Sequence, residues 1–519
     1  MVKHSLEEVL RPQSIAVVGA SDDGRGSQYF STLIDFGFKG SIYPVNPKYS
    51  VVGNMKAYPS VKDIPGPVDF VISAAPAPQI PKIMQDCADK GVKGIHLFTA
   101  RFSETGRQDA AELERQILRI AKDGGVRIIG PNCMGVYYPK MGISFQPHFP
   151  RESGPIALSS QSGQAAGEII NKTTTRGALF DLAVSYGNAI DFNECDFLEY
   201  FANKPEIKII MMYVEGPKNG SRFFKLLREV TKEKPVIVLK GGRGRSGTRA
   251  VSSHTASLAG STEVWNTAIS QAGAIPVSSV DELVDVTIAL HFLPPMTGRR
   301  VGVAAGAGGA TVLAADACEE AGLDVIALPQ EIRTELKSQG VLIWDWINNP
   351  ADFSINMGDN DFGPQQLLKM MAMHPNFDLI ISSVMIPGGF PPHPVPPTSQ
   401  NSGKPPDSGE PPSPGGGPPF GRPNRGGGPP GMMGMSLDDV VDQYKQISEY
   451  KPLLGIIQDR SPDARDVDDP REEIRWKNTC LATTKFIALK IPYFPNIERA
   501  ARAANKVITY YQDKQRRNL

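Results

Sequence analysis

The stretch SSHTASLAGS, residues 252–261, sets His254, one of seven histidines in 519 residues, among serine, threonine, alanine and glycine. A histidine kept for packing sits among bulky apolar side chains, and within this stretch only Leu258 is large. The imidazole therefore belongs to a segment suited to movement and is a candidate for chemistry. A second candidate is Glu215, which ends the apolar run IKIIMMYV and precedes Gly216 and Pro217. Such a carboxylate projects at the carboxyl edge of a sheet, where ligands collect in open α/β folds; a solvated strand-end glutamate is the other reading. Three turns rich in small residues each end a strand and open a helix: GASDDGRGS with Gly19, Gly24 and Gly26, SSQSGQAAGE with Ser160, Ser162 and Gly163, and AGAGGAT with Gly308 and Gly309. Helix-start amides lack intrahelical partners and accept anions. Tight glycine packing explains the same turns without a ligand.

The elements that must position these groups follow from the apolar pattern. Short β-branched runs alternate with helical segments, beginning SIAVVGA, SIYPVNP, DFVISAAP, GIHLFTA and VRIIGPN, continuing PIALSS, IKIIMMYVEG and PVIVLKGG, and then RRVGVAAGAGG, LDVIAL, FDLIISSVMIP and PLLGIIQ. Such alternation predicts parallel sheets with helical crossovers. Three α/β units result, at residues 1–130, 131–298 and 299–519. Residues 387–435, rich in Pro and Gly, have nothing to bury and are predicted to be disordered, interrupting the third unit between a strand and the helix SLDDVVDQYKQISEY. The segment reads as a tolerated surface insertion or as a Pro-rich docking segment.

In the first unit the glycine turn does not match G-x-G-x-x-G. Where a dinucleotide fold needs Asp or Glu for the ribose hydroxyls, the chain has Asn46, Pro47 and Lys48. A lysine there suits a ligand with an added phosphate, as in coenzyme A, and equally a solvated surface. No G-x-x-x-x-G-K-[ST] loop occurs, and GGRGRSGTR lacks its ending.

Lys plus Arg and Asp plus Glu both number 55, so no acidic polymer is implied as a partner and no nucleic acid is expected. The five cysteines are scattered without C-x-x-C spacing, which fits a reducing cytoplasm and argues against zinc. The start, MVKHSLEEVLRPQS, has no apolar core for a signal peptide, and no apolar run is long enough for a membrane span.

LRPQSIAVVGAS, GSIYPVNPKY, GPNCMGV, ALSSQSGQAAGE, SYGNAIDFNECDFLEYF, YVEGPKNG and SSHTASLAGS, in this order, resemble the α subunit of NDP-forming acyl-CoA synthetases, relatives of the succinyl-CoA synthetase α chain. The resemblance implies a Rossmann-like CoA-binding domain followed by two flavodoxin-like ligase domains. It implies CoA contacts at Gly19, Ala20, Ser21, Gly24, Lys48, Pro76 and Asn132. It makes His254 the phosphorylated residue, Glu215 its orienting carboxylate, and Ser160, Ser162, Gly163, Gly308 and Gly309 the phosphate-binding helix starts. The reaction would interconvert acyl-CoA, ADP and phosphate with a carboxylic acid, CoA and ATP through an acyl phosphate and a phosphohistidine. Two departures stand out: Gly306 where the family has Asn, and Arg101 where relatives commonly have glycine. The family's nucleotide site is an ATP-grasp domain, for which no segment remains, so a separate β subunit, in a heterotetramer, is expected to bring ATP or ADP and magnesium. The competing readings are a non-catalytic CoA-responsive regulator of the same fold and an NAD-linked oxidoreductase, the latter weakened by Lys48.

Overall fold

Most of the apolar runs form strands, largely buried on both faces as parallel strands covered by helices must be. LDVIAL, expected to be a strand, makes only an isolated bridge between Asp324 and Arg300. In the computed structural model the first sheet contains β1 (Ser14–Val18), β2 (Ser41–Val45), β3 (Phe70–Ser73), β4 (Gly94–Leu97) and β5 (Arg127–Ile129), in the order β2-β1-β3-β4-β5, all parallel. The second contains β6 (Gly135–Tyr137), β7 (Ile156–Ser160), β8 (Phe180–Ser185), β9 (Ile209–Val214), β10 (Val236–Lys240) and β11 (Ile275–Val277), in the order β11-β10-β9-β7-β8-β6, with only β6 antiparallel to its neighbour. The third contains β12 (Val301–Ala305), β13 (Ala351–Asp352), β14 (Leu379–Ser383), β15 (Leu453–Ile456) and β16 (Tyr493–Phe494), in the order β13-β12-β14-β15-β16. Apart from β6, every sheet repeats one doubly wound order: the first strand lies between the second and the third. A crevice opens where the winding reverses, beyond the carboxyl ends of those first and third strands.

The structure describes residues 5–23, 25–244, 246–247, 262–306, 308–352, 363–387, 436–458 and 470–518. His254, Gly24 and residues 388–435 of the expected disordered insertion lie outside them. The chain divides into two compact units, Met1–Thr297 with Arg502–Leu519, and Gly298–Ala501. The first unit holds the first two sheets and the second holds the third.

In the first sheet, Ala16, Val71, Ile95 and Ile128 lie side by side and pack on Ile80, Met84 and Cys87 of the helix Ile80–Lys90 and on Ile117 and Ala121 of the helix Gln108–Gly124. Burying each large side chain stabilises the fold by about 1.5–3 kcal/mol. Arg127 on β5 makes a bidentate pair with Asp191, at 2.7 and 3.0 Å, and lies 3.7 Å over the Phe192 ring. Asp191 also accepts the Ile128 N–H at 2.9 Å. This buried pair ties the edge of the first sheet to the segment that enters the helix Glu194–Ala202 of the second. In the other unit, Leu367, Met371, Phe377, Ile380, Val440, Tyr444 and Phe486 form the core around β14.

Candidate active site

At the crevice of the first sheet, β1 is followed by Gly19, whose φ of +89° favours glycine. The helix Arg25–Asp35 starts so close to this strand end that a Cβ on Gly26 would lie 1.9 Å from the Gly19 carbonyl oxygen. Asn46 joins the two flanking loops: its Nδ2 donates to the Ala20 carbonyl at 2.7 Å and its Oδ1 accepts the Lys48 N–H at 3.0 Å. Lys48 is exposed beside the turn that carries Ala20 and Ser21. No acidic side chain stands directly after β2; the residues there are Asn46, Pro47 and Lys48. Across the crevice, Pro76 follows β3 and caps the short helix Ala77–Gln79.

A cavity of about 620 Å³ opens from this edge toward the second sheet, lined by residues 74–78, 98–101, 132–134, 163 and 164. Pro76 and Asn132 therefore share a wall with Gly163, the first residue of the helix Gly163–Thr174. Asn132 has φ +59° and donates its N–H to the Thr99 carbonyl at 2.9 Å.

The second crevice lies between β7 and β9, and Glu215 follows β9 directly. Across from it, Gln161 accepts the N–H groups of Glu215 and, at 3.1 Å, of Gly216, and donates to the Gly216 carbonyl at 3.2 Å. The buried Lys240 ammonium donates to the carbonyls of Glu215 and Gly241. Burial lowers the Lys240 pKa, and the Glu215 charge opposes that shift. Burial, together with the charge and hydrogen bond of Glu215, pushes the Tyr213 hydroxyl up to about 12. Glu194 completes the support, accepting the Lys218 N–H at 2.7 Å. Ser160 donates to the Ser162 carbonyl at 2.7 Å, and Ser162 caps its helix by accepting the Ala165 N–H at 3.3 Å. The Gly163 and Gln164 amides precede the first intrahelical bonds, so this end of the helix presents donors to an anion.

The structure thus gathers Ser160, Ser162, Gly163 and Glu215 around one crevice, and Gly19, Ala20, Ser21, Lys48 and Pro76 around another in the same unit. Gly308 and Gly309 open the helix Gly308–Glu320 after β12, in the other compact unit. Gln161, Tyr213, Lys240 and Glu194 escaped the sequence reading. Only Lys240 had a local signal, as a lysine that ends the strand run PVIVLK; Gln161 lies within SSQSG, but its partners are far along the chain. Tyr186 is buried near this edge, and neither its hydroxyl nor Glu194 Oε2 has a hydrogen-bond partner among the described residues.

Two parts of the chain match known protein families. Residues 13–139 match a CoA binding domain, and residues 153–290 match the succinyl-CoA ligase like flavodoxin domain. The α subunit of the ADP-forming acetate-CoA ligase II of Pyrococcus furiosus is 36% identical over 385 residues, which are 74% of this chain and 83% of that one. The chain belongs to the α-subunit family of ADP-forming acetate-CoA ligases. Family members also occur in longer chains: the ADP-forming acetate-CoA ligase of Methanocaldococcus jannaschii is 38% identical over 319 residues, 61% of this chain but 44% of that protein. A solved structure resembles this one along most of its length. The dinucleotide-forming acetyl-coenzyme A synthetase 1 of Ca. Korarchaeum cryptofilum, solved with phosphate and ADP, superposes with a TM-score of 0.73 at 26% identity, covering 99% of this chain and 98% of that one.

Among the described residues no helix is long and apolar enough to cross a membrane, and no cluster of His, Cys, Asp or Glu is arranged to hold a metal ion. Cys87, Cys133, Cys195 and Cys318 are free and buried, and Cys480 is free and exposed.

Proposed function

We propose that this chain is the catalytic α subunit of a cytoplasmic ADP-forming acyl-CoA synthetase, and that His254 carries phosphate away from a site built on Glu215 and the helix start at Gly163. In the acyl-CoA direction, a phosphate oxygen attacks the thioester carbonyl and the C–S bond breaks, giving an acyl phosphate and CoA. A neutral imidazole nitrogen of His254 then attacks phosphorus, and the acid leaves with the bridging oxygen. The phosphoryl group passes from His254 to ADP. An ATP-grasp β subunit would bring ADP and magnesium, in an assembly we propose to be a heterotetramer.

The observation that carries this reading is the anchoring of Glu215. Three side chains from separate elements, Gln161, Lys240 and Glu194, hold the turn that follows β9, which fixes the Glu215 backbone beside the crevice between β7 and β9, and the helix Gly163–Thr174 begins three residues after β7. A carboxylate so placed orients an imidazole and stabilises its cationic form. Helix-start amides stabilise the phosphoryl charge by up to about 2 kcal/mol in favourable geometry. A CoA-responsive regulator would not need this machinery. The CoA would lie along the first crevice, its phosphates near the Gly19 turn and Lys48 and its thiol end in the cavity that reaches Gly163.

The test is intact-mass analysis of the purified chain after incubation with inorganic phosphate and acetyl-CoA or succinyl-CoA. One phosphoryl group, acid-labile and alkali-stable, should appear, and His254→Ala should abolish it without changing CoA affinity measured by calorimetry. Phosphate retained in His254→Ala would overturn the assignment. Lys48→Ala should weaken CoA binding about tenfold, the loss of one charge-assisted contact.

A further inference from the structure

Among the described residues, fourteen line the cavity between the first crevice and Gly163, and Arg101 is the only charged one of these. Its backbone has φ +79°, a state that side-chain-bearing residues rarely adopt. The turn is locked there by a buried carboxylate: Glu104 accepts the Arg101 N–H at 2.6 Å and the Phe102 N–H at 3.1 Å. Glu104 also accepts Asn188 Nδ2 at 2.7 Å. Nearby, Glu114 takes the Ser103 hydroxyl at 2.8 Å and the same Asn188 amide at 3.1 Å. Neutral donors thus occupy both carboxylates, and among the described residues the Arg101 guanidinium makes no hydrogen bond or ion pair. A turn of this shape is served by glycine, and strain kept at a cavity wall marks a residue with work to do there. A lone cation on a neutral, concave wall attracts and orients an anion.

We infer that Arg101 is a specificity-determining residue: its guanidinium takes an anionic oxygen group of the CoA thioester, supplied by a CoA phosphate or by a carboxylate at the far end of the acyl chain. The inference rests on the reading of this cavity as the CoA site. Either group matches the fork of guanidinium donors in two-point geometry.

Calorimetry on the full chain separates the sources. The variants are Arg101→Gly, which suits the backbone and should melt no lower than the parent, and Arg101→Lys, which restores charge without the fork. The ligands are CoA, dephospho-CoA, acetyl-CoA and succinyl-CoA. Arg101→Gly should lose about tenfold or more in affinity, with partial recovery in Arg101→Lys. An equal loss for CoA, acetyl-CoA and succinyl-CoA assigns the contact to a CoA phosphate, and disappearance of the loss with dephospho-CoA assigns it to the 3′-phosphate. A loss confined to succinyl-CoA assigns it to the acyl carboxylate and marks a preference for dicarboxylic acids. Equal affinities of parent and Arg101→Gly for all four ligands would overturn the inference and leave the CoA site standing. A parent protein that binds none of them would overturn both.

Discussion

Gln161 grips Gly216 from both sides: its Oε1 accepts the Gly216 N–H at 3.1 Å while its Nε2 donates to the Gly216 carbonyl at 3.2 Å. The two residues end neighbouring strands, and the same Oε1 also holds the Glu215 N–H. Gln161→Ala strands three buried backbone groups at about 1–3 kcal/mol each before relaxation, and the expected net loss is about 3 kcal/mol. Urea unfolding checks that figure. Coupled turnover should fall about a hundredfold, because displacing a positioned group by about 1 Å costs that much.

Glu215→Gln keeps the backbone contacts and removes the charge. Stability should stay near that of the parent, while single-turnover phosphorylation of His254 slows by about 10²–10⁴, as for other positioned acid–base groups. Rapid-quench kinetics measures it. An unchanged rate would remove Glu215 from the mechanism.

His96 makes the protein acid-sensitive. It is fully buried, with Nε2 donating to the Cys133 carbonyl at 3.1 Å and Gly135 so near that a Cβ there would lie 2.5 Å from the ring. Burial lowers its pKa from 6.5 to about 4. The unfolded chain therefore binds a proton below about pH 6.5 that the folded chain refuses until about pH 4. Stability contributed above pH 6.5 is lost as the pH falls through this window, by about 3 kcal/mol in all. His96→Gln retains a donor without a titrating ring, so its melting temperature should depend less on pH between 6.5 and 4. Parallel slopes for variant and parent would refute the assignment.

Replacing residues 388–435 by a Gly/Ser linker of about eight residues should shift melting by a few degrees at most. The flanking elements are joined without the segment: Tyr444 of the helix Leu437–Ser448 donates to the Ser383 carbonyl at 2.6 Å and meets the Ser382 hydroxyl at 3.0 Å. Shortening the connection about sixfold changes its closure entropy by only about 1.5 kcal/mol. A fall of more than about 10 °C would mean the segment packs on the fold.

Much of the site was legible before the fold because its chemistry is local. A glycine turn after a strand, a serine cap and a strand-end glutamate are consecutive in the chain, and short-range sterics and unpaired helix amides dictate their behaviour. Gly19, Ser162, Gly163 and Glu215 could be singled out from SIAVVGAS, SSQSGQ and IKIIMMYVEG alone. Gln161 could not, since its role depends on a strand that begins 48 residues later at Ile209, as the numbering shows.

By itself the sequence determined the alternation of buried strands and helices, the turns that open each helix and the resemblance that they carry. Strand order was decided only in three dimensions. Parallel strands buried on both faces are apolar throughout, so their pattern records burial and says nothing about neighbours. A helical crossover permits the next strand to join either edge of the growing sheet. Tertiary packing chose the reversal that sets β1 beside β3 and β7 beside β9. That choice brings Gln161 to Glu215 and opens the crevices, while the Glu104 carboxylate locks the left-handed turn that puts Arg101 on the cavity wall.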